Sequence, residues 1–453
     1  MFRHVLCVYP YRRGLKGWRF CPPLGLECIG AVIEPHAEAL DIIDLRKERN
    51  CTLDFLRPES DLVCFSVNWD REVEFMREEI NSVPPDISTI LGGRHATLDP
   101  EDWLVRCPNV NAVVRGDGEE VIEDVCQGVP FEKIAGLSFR NGKEIFHNSN
   151  RRLGAVRDHH FPNRNLRRYT YEVELENIGM GAEHDLVSAS RGCPFNCTYC
   201  SFNRNPWGDK RNWTGRSPES IVEELAQINA PLVSFTDDLF TYDMDRVGRI
   251  CDLILARGIR KRYLINARLE IARRPDVLRK MEQAGFAVIL LGIESAHDKT
   301  LRSMRKGFNT AKIREYFEVL RNRAMIMHGY FIMGNIGESA EDMMQVVPFA
   351  QDLGVDTLSI ALLRNEQYSG LDELVAQNQA YHIAPNGKIY SDHCSLKELK
   401  RLRQRIYKKF YTKRQGLRIL NKARRSGLLK VFYKHILQLP PFFRALKRAW
   451  KIV

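Results

Sequence analysis

The chain has 453 residues, 44% hydrophobic and 28% charged, the usage of a folded protein of two or three domains rather than a disordered or fibrous one. Its net charge of +11 is a property of one end. Ser395 to Val453 holds nineteen Lys and Arg against one acid, Glu398, so that segment carries +18 and the other 394 residues sum to −7. This argues against nucleic acid as a partner of the body, and no apolar run approaches the ~18 residues of a membrane-spanning helix.

The opening residues, MFRHVLCVYPY, run straight into strand-like sequence with no secretory h-region. The expectation is a cytoplasmic protein whose twelve cysteines are thiols or ligands rather than disulfides. From Val5 to Val125, apolar runs at Val5–Tyr9, Ala39–Leu45, Leu62–Val67, Ile87–Leu91 and Ala112–Val114 alternate with helical patterns, among them Leu24–Ile33 and Asp70–Val83. That rhythm predicts a doubly wound, Rossmann-like parallel sheet over 1–130, with its ligand site outside the carboxyl ends of the strands. Two loops fall there: Gly92-Gly93-Arg94-His95-Ala96-Thr97 and Arg115-Gly116-Asp117-Gly118-Glu119. Residues 131–182 read as a connector, with a small hairpin across Asn141-Gly142.

A second α/β array spans 183–394. Its predicted strands are Asp185–Ser190, Leu232–Phe235, Arg262–Ala267, Ala287–Ile293, Met325–Met333 and Thr357–Leu363. Ser217-Pro218 opens one helix and Pro275 another, which Gly285 closes. Six such units predict a partial, TIM-like (β/α)6 barrel working at its strand C-termini. Residues 395–453 form a basic helical tail, broken at Pro440-Pro441.

The sharpest chemical signal is Ser190-Arg191-Gly192-Cys193-Pro194-Phe195-Asn196-Cys197-Thr198-Tyr199-Cys200-Ser201, on a loop after the first strand of the second array. Thiolates at spacings of four and three suit an iron–sulfur cluster, and three of them leave one iron open. A zinc site is the competing reading, with His393-Cys394 as the source of a fourth ligand. The other nine cysteines are dispersed, mostly in apolar stretches, and read as packing.

C-x3-C-x2-C with an aromatic residue, Tyr199, before the last cysteine resembles the hallmark of the radical S-adenosylmethionine family. Later segments resemble the family's motifs in order: Phe235-Thr236-Asp237-Asp238, Asn266 with Arg268, Gly292-Ile293-Glu294-Ser295 followed by Leu301–Gly307, and Gly329–Glu338 with Ile336 where relatives carry proline. The resemblance implies a [4Fe-4S] cluster on Cys193, Cys197 and Cys200. It also implies an S-adenosylmethionine site lined by Tyr199, Asp237, Asp238, Asn266, Arg268, Glu294 and Gly334. An electron from a flavodoxin- or ferredoxin-like donor would then release a 5′-deoxyadenosyl radical.

The first 125 residues resemble the cobalamin-binding domain of a large branch of that family, on Cys21–Leu26, Leu91–Thr97 and Ala112–Glu120, with Phe161-Pro162-Asn163-Arg164 resembling its connector. This implies cobalamin contacts from Gly92, Gly93, His95, Gly116 and Gly118. The D-x-H-x-x-G signature of histidine-ligated cobalamin is absent, and His95 and His4 are candidates only by residue type. The branch implies methylation of an unactivated carbon. Radical formation or rearrangement of carbon–carbon bonds, a vestigial cobalamin domain, and a non-enzymatic iron–sulfur or cobalamin sensor stay open beside it. In the tail, Leu428–Leu437 and Pro441–Trp450 mix basic and apolar residues at helical spacing. Such helices suit anionic membrane surfaces, which predicts peripheral contact with the inner face of the membrane and a hydrophobic, lipid-like substrate. A helical cap with a solvated basic face is the alternative.

Overall fold

In the computed structural model the described residues are 1–12, 21–154, 156, 158, 161–175, 178–202, 204 and 207–436. The chain divides into two units, one of residues 1–177 with 205–209, the other of 178–204 with 210–453.

Strand β1 (Phe2–Tyr9) of the first unit holds Val5, Leu6, Cys7 and Val8 fully buried, so both faces of its sheet are covered. Alternation sends Leu6 and Val8 into the core beneath helices Val73–Asn81 and Pro100–Arg106, and Val5 and Cys7 into the core beneath Leu24–Ile33 and Glu119–Cys126. With β2 (Ala37–Asp44), β3 (Ser60–Ser66), β4 (Ser88–Gly92) and β5 (Ala112–Val114), the parallel order is β2-β1-β3-β4-β5. The order reverses between β1 and β3, which makes a topological switch point at their carboxyl ends. The hairpin expected in the connector is here part of the sheet: β6 (Leu137–Asn141) pairs antiparallel with β5, and β7 (Glu144–His147) with β6. Leu137 and Phe139 are buried, so the hairpin joins the first unit's core.

The second unit is an open barrel of six parallel strands set side by side in chain order: Ile178–Val187, Leu232–Phe235, Arg262–Ala267, Phe286–Glu294, Ile326–Met333 and Thr357–Leu362. The first strand begins before the expected Asp185 and ends at Val187. Ser190–Arg191 leaves the barrel to pair antiparallel with Thr214–Gly215. The helix starts follow the expected chemistry, with the Ser217 side chain accepting the Ser220 N–H ahead of Pro218–Gln227.

An open barrel has an exposed edge, and the basic tail closes this one. Helix Leu396–Phe410 buries Leu399, Leu402, Ile406 and Phe410 in the barrel core. Its Tyr407 hydroxyl accepts the Ile360 N–H at 2.9 Å. The next turn's Tyr411 hydroxyl accepts the Leu358 N–H at 3.0 Å and donates to the Leu358 carbonyl at 3.1 Å. Two phenols thus take up ladder groups of the last strand that would otherwise template edge-to-edge pairing. Helices Lys413–Arg425 and Leu428–Ile436 follow, whereas Leu437 and the Pro441–Trp450 segment lie outside the described residues. Among the described residues no helix is long and apolar enough to cross a membrane.

Candidate active site

Parallel strands end together, so the loops after all six barrel strands share one edge. The cysteine loop leaves the first strand there. Gly192, at φ +85°, turns the chain where an added Cβ would collide with the Asn212 carbonyl. Cys193, Cys197 and Cys200 are free and partly exposed. The far side of the loop is tied to the segment after the fourth strand: Thr198 N–H donates to the Met304 carbonyl at 3.1 Å, and its hydroxyl to that of Ser303 at 3.2 Å. Burial pushes the Cys200 thiol up to about 11 and Cys193 in the same direction.

Asp237 and Asp238, at the end of the second strand, hold the near side. Asp237 is buried, and its two oxygens accept the Ala189 N–H, at 2.9 Å, and the Ser190 hydroxyl. Burial raises its carboxyl from the ordinary 3.8 to about 7, against the pull of those bonds and of Arg246. Asp238 is exposed and accepts the Gly192 N–H at 2.9 Å. The two neighbouring carboxylates therefore differ: one is consumed in framing the loop, the other faces the strand-end edge. Asn266, from the third strand, donates to the Asp237 carbonyl at 3.4 Å.

Glu294 ends the fourth strand at φ +71°, a left-handed conformation rarely held by a residue with a side chain. Its Oε1 accepts both Lys306 Nζ and the Tyr199 hydroxyl, each at 2.8 Å, and Lys306 lies 3.1 Å from that hydroxyl. Burial, then the Glu294 charge, pushes the Tyr199 phenol well above its usual range. The carboxylate folds back over Gly292, where a Cβ would meet Glu294 Oε1 and lie 2.7 Å from Lys306 Nζ. Arg268 stacks on Phe195, 3.7 Å from the ring centroid, donates to the Lys306 carbonyl at 2.6 Å, and reaches Cys197 Sγ at 3.8 Å. It is thus packed behind the cysteine loop. After the fifth strand, Glu338 accepts the N–H groups of Gly334 (2.9 Å) and Asn335 (3.1 Å), which closes that turn with Ile336 in place of proline.

Tyr199, Asp237, Asp238, Asn266, Arg268 and Glu294 are joined to the cysteine loop by this one network; Gly334 belongs to a separate turn on the same edge. Lys306 was missed in the sequence reading. It is the penultimate residue of LRSMRKG, which also holds Arg302 and Arg305, and nothing local distinguishes it from them. Cys197 and Cys200 open onto a cavity of about 130 Å³ lined also by Asn196, Thr198, Arg204 and Arg305.

Three thiols on one loop suit a cubane, which takes one thiolate at each of three separated irons. Zinc would need a fourth donor beside the three thiols. Cys394, the proposed fourth zinc ligand, is buried beneath the Leu396–Phe410 helix and belongs to the barrel core.

In the first unit, Gly92 ends β4 and Gly93 follows it, and Gly116 and Gly118 follow β5, on the carboxyl edge of that sheet. A Cβ on Gly93 would lie 2.5 Å from the Val67 carbonyl oxygen, and one on Gly118 2.9 Å from Ile29 Cδ1. Thr97 Oγ1 takes the Gly116 N–H at 3.2 Å and so links the two loops. His95 Nδ1 accepts the Trp103 indole N–H at 3.3 Å, and burial lowers its pKa from 6.5. The neutral ring then carries its proton on Nε2, and a protonated nitrogen is no metal ligand. His4 is fully buried, with Nδ1 2.6 Å from Ser60 Oγ and Nε2 3.2 Å from Asp41 Oδ2. It is a structural histidine. Neither histidine offers a free ring nitrogen here, so a corrin on this edge would be held by backbone and shape.

Residues 187–350 match the model of the radical SAM superfamily. The chain is 24% identical to an uncharacterized methyltransferase of Pyrococcus horikoshii, over 91% of this chain and 94% of that one. It is 27% identical to the hopanoid C-3 methylase of Methylococcus capsulatus, over 70% of this chain and 62% of that longer one. Among solved structures it resembles TsrM of Kitasatospora setae, a radical S-adenosylmethionine methyltransferase with cobalamin and a [4Fe-4S] cluster bound. The TM-score is 0.67 at 17% identity, over 85% of this chain and 76% of that one.

Proposed function

The chain carries a radical SAM domain, and on that premise we propose that it is a cobalamin-using methyltransferase acting on an unactivated carbon of a hydrophobic, lipid-like substrate. One observation carries this reading. Three partly exposed thiols sit on a loop whose backbone is pinned to the second-strand carboxylates on one side and to the Ser303–Met304 segment on the other. The loop is thus rigid while its donor set stays one short. Two further facts support the methyl-transfer part: the glycines at the carboxyl ends of β4 and β5 in the first unit, and a relative named as a methyltransferase that aligns along nearly the whole chain.

When bound, cluster and S-adenosylmethionine supply a carbon radical and cobalamin a methyl group. Cys193, Cys197 and Cys200 would hold the cluster. Exposed Asp238 accepts hydrogen bonds from the ammonium group of the cofactor, while Asp237 holds Ala189 and Ser190 beneath it. Asn266 and Glu294, on neighbouring strands, orient the ribose and amino-acid portion. Gly334, with Leu399 packed where a side chain would begin, would offer its backbone to the adenine beside the fifth strand. Gly92, Gly93, Gly116 and Gly118 let the first unit's backbone approach a corrin closely, with His95 beside them.

Peripheral membrane contact through the basic C-terminal region and a flavodoxin- or ferredoxin-like donor complete the proposal. Anaerobic reconstitution with iron, sulfide and corrin analysis tests it, followed by turnover with S-adenosylmethionine and extracted lipid. Deoxyadenosine together with a product heavier by one methyl group is expected. Deoxyadenosine without methyl gain would instead indicate carbon–carbon bond chemistry. Tetrahedral zinc in strictly anaerobic protein would end the proposal.

A further inference from the structure

Helix Lys413–Arg425 turns polar side chains inward and two leucines outward. Its buried face carries Gln415 and Lys422, with Arg418 part-buried between them. These converge on Asp356, whose carboxylate is fully buried. Arg418 Nε lies 2.8 Å from Asp356 Oδ1, Lys422 Nζ 2.7 Å from Oδ2, and Gln415 donates to the Val355 carbonyl at 2.9 Å. Lys422 also reaches the Met325 carbonyl at 3.2 Å. Every one of these acceptors precedes the fifth or sixth barrel strand, at the end of the barrel opposite the cysteine loop.

The face turned outward carries Leu417 and Leu420, 70% and 55% exposed. They lie one turn apart, with exposed Lys413 and Arg424 at the two ends of the same strip and exposed Arg414 and Arg425 along one flank. None of these four makes an ion pair among the described residues, although Arg425 donates to the Asn322 carbonyl at 3.4 Å, and the helix contains no acid. Burial cannot explain two leucines pointing away from the core while a glutamine and a lysine point in. Exposed leucines set among basic side chains on the outward face of one helix are the pattern of an interfacial helix.

We infer that the outward face of Lys413–Arg425 is a membrane anchor, which seats Leu417 and Leu420 in an anionic lipid surface with the four basic side chains over its headgroups. Charge complementarity selects the occupant: Glu398 is the sole acid from Ser395 to the end of the chain, and such a surface attracts anionic lipid and repels basic partners. Lying at the strand starts, the anchor tethers the barrel without blocking the edge where the site lies. The inference rests on the peripheral-membrane part of the proposed function and assigns it to one helix.

The full-length protein is tested by flotation with phosphatidylcholine vesicles, with and without phosphatidylglycerol, beside Leu417→Gln/Leu420→Gln and Arg414→Glu/Arg424→Glu. The expected result is binding that requires phosphatidylglycerol, falls with salt, and weakens roughly tenfold or more in each variant. Near-UV circular dichroism and iron content report retained fold, since every changed side chain is exposed. Binding of wild type and both variants alike would overturn the inference while leaving membrane association standing. Failure of the wild type to bind any vesicle would overturn both, and so would a wild-type dimer that the leucine substitutions dissociate without any vesicle binding. Deoxyadenosine formation, measured in parallel, reports on the radical chemistry independently of either outcome.

Discussion

Lys306 Nζ and Glu294 Oε1 lie 2.8 Å apart at side-chain exposures of 5% and 7%, with the Tyr199 hydroxyl on the same carboxylate oxygen. This pair joins the end of the fourth strand to the cysteine loop through one buried charge contact. It also holds Glu294 in a left-handed backbone conformation that a residue with a side chain does not adopt unaided.

Removing one member strands the other's charge in the interior. Lys306→Met is expected to cost about 3–5 kcal/mol, read as a lowered denaturant midpoint. Adding Glu294→Gln to Lys306→Met should recover a substantial part of that loss. Equal midpoints for the Lys306→Met protein and wild type would mean the pair is not buried as described.

Gly192 sets the entry to the cysteine loop. Gly192→Ala forces a Cβ into the Asn212 carbonyl at a positive φ, at a cost of about 1–3 kcal/mol. Because the strain falls beside Cys193, the expected outcome is less iron and sulfide per chain after anaerobic reconstitution, with all three cysteines intact. Full loading at wild-type stability would show that the loop tolerates a different entry.

The phenols on the open edge make a separate prediction. Tyr407→Phe leaves the Ile360 N–H without its partner, and Tyr411→Phe orphans both polar groups of Leu358. Each substitution should cost about 1–3 kcal/mol. The double variant should also scatter light at concentrations where wild type stays clear, since a bare strand edge is a template for association.

Asp237 predicts a pH effect. Its carboxyl titrates near 7 when folded and near 3.8 when unfolded, so between those values the folded state holds a proton that the unfolded state has lost. Stability contributed by this group is therefore full below pH ~4, falls as pH rises through ~7, and is flat above. Asp237→Asn keeps an acceptor for the Ala189 N–H and removes the proton. Denaturation across that range should show a shallower decline for the variant, and parallel curves would assign the slope to other groups.

Much of this molecule is legible in one dimension. Continuous apolar runs at Val5–Tyr9 and Leu62–Val67, and the Ser217-Pro218 and Pro275…Gly285 punctuation, place strands and helices near where they fall, because those signals are local. The cysteine spacing specifies an iron–sulfur loop for the same reason: its donors lie within eight residues of one another. Ile178–Val187 starts earlier than expected because its first half carries no clear apolar run. The hairpin at 137–147 looked like a connector because only its pairing with β5 makes it part of a sheet.

The residues' own order determined the domain rhythm, the thiol chemistry and the concentration of charge at one end. Folding alone decided that Asp237 is spent on Ser190 while its neighbour Asp238 faces outward, that Lys306 and not Arg305 finds Glu294, and that Tyr407 and Tyr411 seal a strand about fifty residues earlier. It also turned Leu417 and Leu420 outward by giving Arg418 and Lys422 a buried carboxylate at Asp356 to bind. The physical reason is that a side chain's type is written locally, whereas its partner is fixed by loop paths and strand register that bring distant segments within hydrogen-bond reach.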